Sequence, residues 1–388
     1  MDNMMPNPSE IALILLAVAD VIVLLAFLVL ADLTQLFIQF PRRVTMIVWR
    51  YRKIAMIMAV ICFSAGLYIA LAHAALSGTV LALDAVAFIA LFVGGYINVP
   101  YLMFRPQQRG AKYISVNEAR KYLTPANRVM VVEVNGDARA FFHDWIARPH
   151  IAGDIIGGQE VVLTYCSLSH LGLAYSPQLD DKKLDLKVML QLENNLVMFD
   201  EDSNQPIQQI RGTLENSGEK LKKYPTQVMP FGSFAKIYPK GRLFYNPPQG
   251  WWDRMVRAMV LDVTERQYTT DKPAFPTIRH VDDRLPPKEM VFGIVINGMA
   301  RAYSRDFLKQ NSFVTIPHDG QETALVYYPE FDSVAAFACP PGEKVTEIDI
   351  YGNSPAGKLD RIPLDSEVLW MVWSNFHPAT VLNDQGAG

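Results

Sequence analysis

Charge is scarce in this chain of 388 residues. Only 19% of them are charged, below the roughly 25% of an ordinary soluble protein, whereas half are hydrophobic. Basic excess is lacking too: 36 Lys and Arg stand against 39 Asp and Glu, a net charge of −3. With no basic stripe to replace phosphate counterions, nucleic acid is excluded as a partner. The three cysteines, Cys62, Cys166 and Cys339, include no CxxC pair, which excludes a disulfide scaffold and a structural zinc site built on thiolates. Neither a phosphate loop nor a Gly-x-Ser-x-Gly nucleophile elbow is present.

What is present begins with the apolar excess, most of which sits in the first hundred residues. Ile11 to Leu30 is a 20-residue run interrupted only by Asp20, enough at 1.5 Å per residue to cross a hydrocarbon core of about 30 Å. Ile54 to Leu76 and Thr79 to Met103 are two further runs, joined around Ser77-Gly78. Three spanning helices are expected, and membrane lipid is an expected partner. Asp2 and Glu10 stand where a cleaved signal peptide would need a basic start.

Arg42, Arg43, Arg50, Arg52 and Lys53 lie between the first two spans, and Arg105, Arg109 and Lys112 follow the third. By the positive-inside rule these segments are cytoplasmic, so the large C-terminal region is expected on the cytoplasmic side of a bacterial inner membrane. The stretch from Gln39 to Lys53, with Trp49 and Tyr51 over a basic face, also suits an interfacial helix. Asp20, Asp32 and Asp84 lie within or beside the apolar runs, where a lone carboxylate is costly and is kept with a partner. Asp32 and Asp84 reach the interface or cap helix ends, or these carboxylates contact other integral membrane subunits or a second copy of the chain, or serve a proton or ion path, and Asp20, deepest in its run, is the best candidate for a pairing contact.

The rest of the chain carries an internal repeat. Val134-Asn-Gly-Asp-Ala-Arg-Ala140 matches Ile296-Asn-Gly-Met-Ala-Arg-Ala302 at a spacing of 162, which also aligns Asp144 with Asp306, Gly158 with Gly320, Leu163 with Leu325 and Tyr165 with Tyr327. Later, Phe231 and Phe234 align with Trp370 and Trp373 at a spacing of 139, so the first copy holds extra chain between Tyr175 and Phe231. Each copy opens on an Asn-Gly hairpin, and strands are expected at Val161 to Tyr165 and Thr323 to Tyr328, with helices at Asp144 to Ala147 and Glu367 to Phe376. The fold class is therefore α+β: three N-terminal transmembrane helices followed by a β-rich soluble region built from two tandem repeats. The expected divisions are 1–108 for the anchor, 109–271 for the first repeat, and 272–388 for a Pro-rich linker and the second.

Several of these stretches together resemble the bacterial domain-of-unknown-function 3179 family: the Asn-Gly-x-Ala-Arg-Ala start, Gly157-Gly158 before Val162-Leu-Thr-Tyr-Cys166, Asn195-Leu-Val-Met-Phe-Asp200, Asp283-Arg-Leu-Pro-Pro-Lys-Glu289, and Trp370-x-x-Trp373 before His377-Pro378. The resemblance implies a hot spot at Cys166, because relatives usually read Thr-Tyr-Cys-Pro-Leu-Cys there and some carry selenocysteine, which implies thiol or selenol chemistry. This chain reads Cys166-Ser-Leu-Ser169, so a dithiol cycle cannot run on this site alone. Relatives also tend to have a His-Glu pair where this chain has Pro149-His150 before Asp154. Many look exported, which implies a periplasmic alternative for the soluble region.

Cys166 with His170 and His150, and His143 nearby, suits a copper or zinc site or an imidazole-activated thiolate, while a packed core thiol fits the apolar strand before it. Trp370 and Trp373 suit either a binding platform or the packing of a helix on a sheet. Trp251-Trp252 with Arg254 and Arg257 opens a short amphipathic segment that suits either a bilayer surface or ordinary packing. The leading expectation is a membrane-anchored binding or assembly module, an accessory subunit of a membrane complex. The competing expectation is a thiol-based redox or metal-binding protein centred on Cys166 and His170, and whether the chain is an enzyme stays open.

Overall fold

A computed structural model describes residues 7–38, 40–318 and 321–383; Asp2, Gln39 and Gly320 lie outside them. The chain forms two compact units, one ending at Phe104 and one beginning at Arg105.

The first unit is helical. Helix α1, Pro8–Leu30, starts where Asn7 accepts a hydrogen bond from the Ser9 amide and Pro8 takes the first turn. Helix α2 runs over Arg42–Ala72, and α3, Gly78–Phe92, starts at a Ser77 cap and continues as a π-wound segment, Val93–Met103. Three helices, Pro8–Leu30, Arg42–Ala72 and Gly78–Met103, are long and apolar enough to cross a membrane. The basic stretch from Arg42 to Lys53 is no separate interfacial piece; it forms the first three turns of α2, since no glycine or proline interrupts it after Pro41. Outward faces carry large apolar groups such as Ile14, Ile57 and Leu83, and the inner face is built from small ones such as Ala12, Ala19, Ala59 and Ala70. A Cβ on Gly95 would lie 2.8 Å from the backbone of Phe27, so glycine there allows the π-wound segment to approach α1.

Among the described residues the second unit holds every strand. Its short helices are α4, Val116–Ala119; α5, His143–Ile146; and α6, Phe231–Ile237. The long helix α7, Gly250–Thr269, is followed by α8, Arg305–Gln310, and α9, Trp370–Phe376. One sheet runs in the order Tyr113–Ser115, Arg242–Phe244, Asp137–Phe142, Arg128–Val134, Thr226–Pro230, and a second in the order Lys223–Tyr224, Leu171–Tyr175, Gln159–Cys166, Ile151–Ile156. The later part of the chain has Val381–Leu382, Met299–Ser304, Met290–Ile296, Asp365–Leu369 in one sheet, and Arg361–Ile362, Ser333–Ala338, Gln321–Tyr328, Phe313–His318 in another.

Local chemistry explains the hairpins. Asn135-Gly136 and Asn297-Gly298 both take positive φ, near +50° and +79°, as a type I′ turn requires. The chain between Tyr175 and Phe231 supplies a further four-stranded sheet over Leu186–Leu192, Asn195–Asp200, Pro206–Gln208 and Thr213–Leu214. Glu367 is in the strand Asp365–Leu369 rather than in a helix, and α9 begins three residues later at Trp370. Trp370 and Trp373 are fully buried, so the packing reading of these aromatics holds.

Trp373 packs onto a strand at Gly293, where an added Cβ would fall 2.2 Å from the indole ring. Gly293→Ala is expected to destabilise the second unit by about 1–3 kcal/mol through overpacking. Chemical denaturation of the full chain in detergent, followed by tryptophan fluorescence, checks this; an unchanged midpoint would contradict the packing described.

Candidate functional site

The strand Gln159–Cys166 ends in a turn over Ser167, Leu168 and Ser169, and Leu171–Tyr175 returns beside it. Two histidines enter strands in the left-handed region, His170 at φ +56 and His150 at φ +69. Non-glycine residues are uncommon there, and histidine is several-fold enriched among those found.

His170 meets a histidine from another element. Its ring and that of His143, the first residue of α5, lie 4.8 Å apart centre to centre at 19°. Both rings are pinned through Nδ1, His143 to the Arg128 carbonyl and His170 to the Glu367 carbonyl, each at 3.1 Å. A carbonyl only accepts, so each Nδ1 carries the proton. Burial, then the neighbouring His170 ring, drives His143 well below its ordinary 6.5, and burial lowers His170 as well. Both imidazoles are therefore neutral at pH 7, with the lone pair on Nε2. His143 Nε2 is enclosed and has no hydrogen-bond partner. Tyr165 packs edge-on against both rings and Tyr268 of α7 against His170.

Below this pair sits a four-member ion network. Glu367, whose side chain is 1% exposed, pairs with Arg128 and Arg305. Asp332 accepts from the same two guanidiniums at 2.6 and 2.7 Å and from the Tyr327 hydroxyl at 3.3 Å. Against burial, which pushes it up, the two arginines hold the Asp332 carboxyl below the usual range. Sequence reading missed all four charges, because their positions, 128, 305, 332 and 367, carry no motif and meet only across the folded unit.

Cys166 is elsewhere in chemistry if not in sequence. Its thiol is 4% exposed, lies 3.9 Å from the Asn194 carbonyl, and is pushed up by burial. Ser169, the position of the missing second cysteine, is fully buried; it accepts from Asn195 at 3.1 Å within a network of Asn195, Gln208 and Gln209 amides. Among the described residues no three His, Cys, Asp or Glu side chains gather as metal ligands, so Cys166, His170 and His150 do not form the expected ligand set. His150 is lowered to about 3 by burial. Asp154 is committed to Arg139, at 2.5 Å.

In the first unit Asp20 of α1 hydrogen-bonds to Asp84 of α3. A hydrogen bond between two carboxyls needs a proton on one of them, and Asp20 Oδ1 and Asp84 Oδ2 stay without a hydrogen-bond partner. Asp32 lies in the short 3-10 turn Asp32–Leu36 that follows α1.

A family model described as "Protein of unknown function (DUF3179)" matches residues 106–380. The chain belongs to the DUF3179 family. No curated protein and no solved structure matches it. The DUF3179 region covers the whole imidazole and ion network and leaves the three apolar helices outside.

Two outcomes follow for the DUF3179 region. With Cys62 and Cys339 changed to serine, Cys166 is expected to resist iodoacetamide until the protein unfolds; rapid alkylation of the folded protein at neutral pH would contradict a buried, protonated thiol. Stability is expected to fall as pH drops from 6.5 towards 4, because unfolded imidazoles take up protons there while His150, held near 3, and His377, held near 4, do not. His377→Gln should flatten the pH dependence of the denaturation midpoint over that window, and an unchanged slope would contradict it.

Proposed function

We propose that this DUF3179 protein is a membrane-anchored binding module whose ligand is a copper or zinc ion held by His143 and His170. One observation carries the reading: two neutral imidazoles lie side by side, each fixed through Nδ1 to a main-chain carbonyl. Metal-ligating histidines characteristically donate their second ring nitrogen in this way, which fixes the tautomer and aims Nε2 at the ion. The enclosed, unpartnered Nε2 of His143 is the buried acceptor that a metal would satisfy. Imidazole suits both copper and zinc, and two protein ligands leave coordination positions open, as transfer and catalytic sites do and closed structural sites do not.

The three apolar helices support a multi-pass protein of a bacterial inner membrane. The basic residues at the start of α2 and after Met103 support a cytoplasmic soluble unit. An accessory role in a membrane complex fits a site with open positions, since an incoming partner can complete the ion's shell. The thiol-redox alternative is weakened by the buried, raised Cys166 and by Ser169.

Full-length protein in detergent, loaded with zinc or with copper(I) under anaerobic conditions and then desalted, is expected to retain about one ion per chain. His143→Ala and His170→Ala should each cut retention at least about tenfold, the lower end for an altered metal site. Cys166→Ser should leave it unchanged. Retention that survives the double histidine variant, or no retention by the native chain, would overturn the proposal.

A further inference from the structure

Helix α7 is amphipathic in the wrong sense for a helix facing water. One of its three arginines points inward: Arg257, 7% exposed, bonds to Asp253 at 3.0 Å and to the carbonyls of Asp144, Arg148 and Asn246 at 2.7 to 3.1 Å. Gln267 is also buried, bonded to the Leu168 carbonyl, and the Tyr268 hydroxyl reaches the Ser167 carbonyl at 2.7 Å. Outward, the first half of the helix presents Trp251 at 75% exposure, with Trp252, Met255, Met259 and Leu261 also exposed. A water-facing helix normally does the reverse. At Asp262 the outer face turns polar, with an exposed Asp262–Arg266 ion pair at 2.7 Å and Glu265.

The apolar stripe borders a mostly apolar groove of about 300 Å³, walled by Phe142, Trp145, Pro248, Ala258 and Leu261, with Asp144, Arg254 and Arg257 also lining it. Such a combination of exposed tryptophans, methionines and one cation suits the boundary between lipid headgroups and acyl chains. The same chain supplies the occupant. Its third apolar helix ends at Met103 and the second unit begins at Arg105, two residues further along the chain. Tethering keeps the lipid surface at high effective concentration, so even weak partition leaves the face covered.

We infer that the N-terminal half of α7, from Trp251 to Leu261, docks on the phospholipid surface of the membrane that holds the three helices. The indoles and methionines enter the headgroup boundary and Arg254 meets lipid phosphate. This rests on the reading of the three helices as bilayer-spanning, and the test separates the two.

The full chain, with its native cysteines changed to serine, is reconstituted into phosphatidylethanolamine–phosphatidylglycerol vesicles. It carries a single spin label at Ala258→Cys, at Glu265→Cys, or at Ile57→Cys on the outward face of α2. Relaxation by lipid-soluble oxygen and by an aqueous nickel chelate is then compared. The expected result is that labels at 258 and 57 favour oxygen and the label at 265 favours nickel. Nickel access at 258 with oxygen access at 57 would overturn the docking of α7 alone. Nickel access at both would overturn the spanning reading as well. Protection of 258 from both reagents would replace lipid by protein, a second copy or another subunit, and would also overturn it. In the native background, brominated phosphatidylcholine in the vesicles should quench the tryptophan emission, and Trp251→Phe with Trp252→Phe should remove a clear share of that quenching; no change would count against docking.

Discussion

Glu367 is the point on which the second unit turns. Its carboxylate is buried, and it keeps its place because Arg128, from the start of the first hairpin, and Arg305, from the start of α8, both reach it. Removing one partner of a buried ion pair typically costs about 3–5 kcal/mol, because the remaining charge is left without compensation. The network therefore holds the early and late sheets at one relative setting, and Asp332 closes it by taking a second bond from each guanidinium. Glu367 sits at φ +59, a left-handed setting that turns its carbonyl to His170 while its side chain meets the arginines.

The imidazole pair inherits its position from this network. His143 hangs from the carbonyl of Arg128 and His170 from that of Glu367, so the two residues that join the sheets also set the two rings. At the spacing of 162, His143 corresponds to Arg305, Tyr165 to Tyr327 and His170 to Asp332. Where the later half has an ion pair with a tyrosine hydroxyl on it, the earlier half has two neutral rings with a tyrosine edge on both. An ion pair satisfies itself, whereas two neutral imidazoles leave lone pairs to be satisfied, and His143 Nε2 has no hydrogen-bond partner.

Burial works in opposite directions on the two residue types that the sequence made conspicuous. It keeps the Cys166 thiol protonated, which removes the nucleophile. It keeps the histidines uncharged, which is the form that binds metals.

Length, hydropathy and turn chemistry are local properties, and they determined the three apolar helices, the Asn-Gly hairpins, the β-rich second unit and the strand that ends at Cys166. Helix α7 was visible only as the short segment opening at Trp251, because the inward turn of Arg257 depends on carbonyls at Asp144, Arg148 and Asn246. His170 and His150 were legible as candidate residues, but the pairing of His170 with His143 rather than with Cys166 was not. Ring contact at 4.8 Å between residues on different elements, and a buried carboxylate shared by arginines 177 residues apart in sequence, are decided by how sheets pack. No periodicity within one element encodes that packing, so tertiary structure alone decided the site.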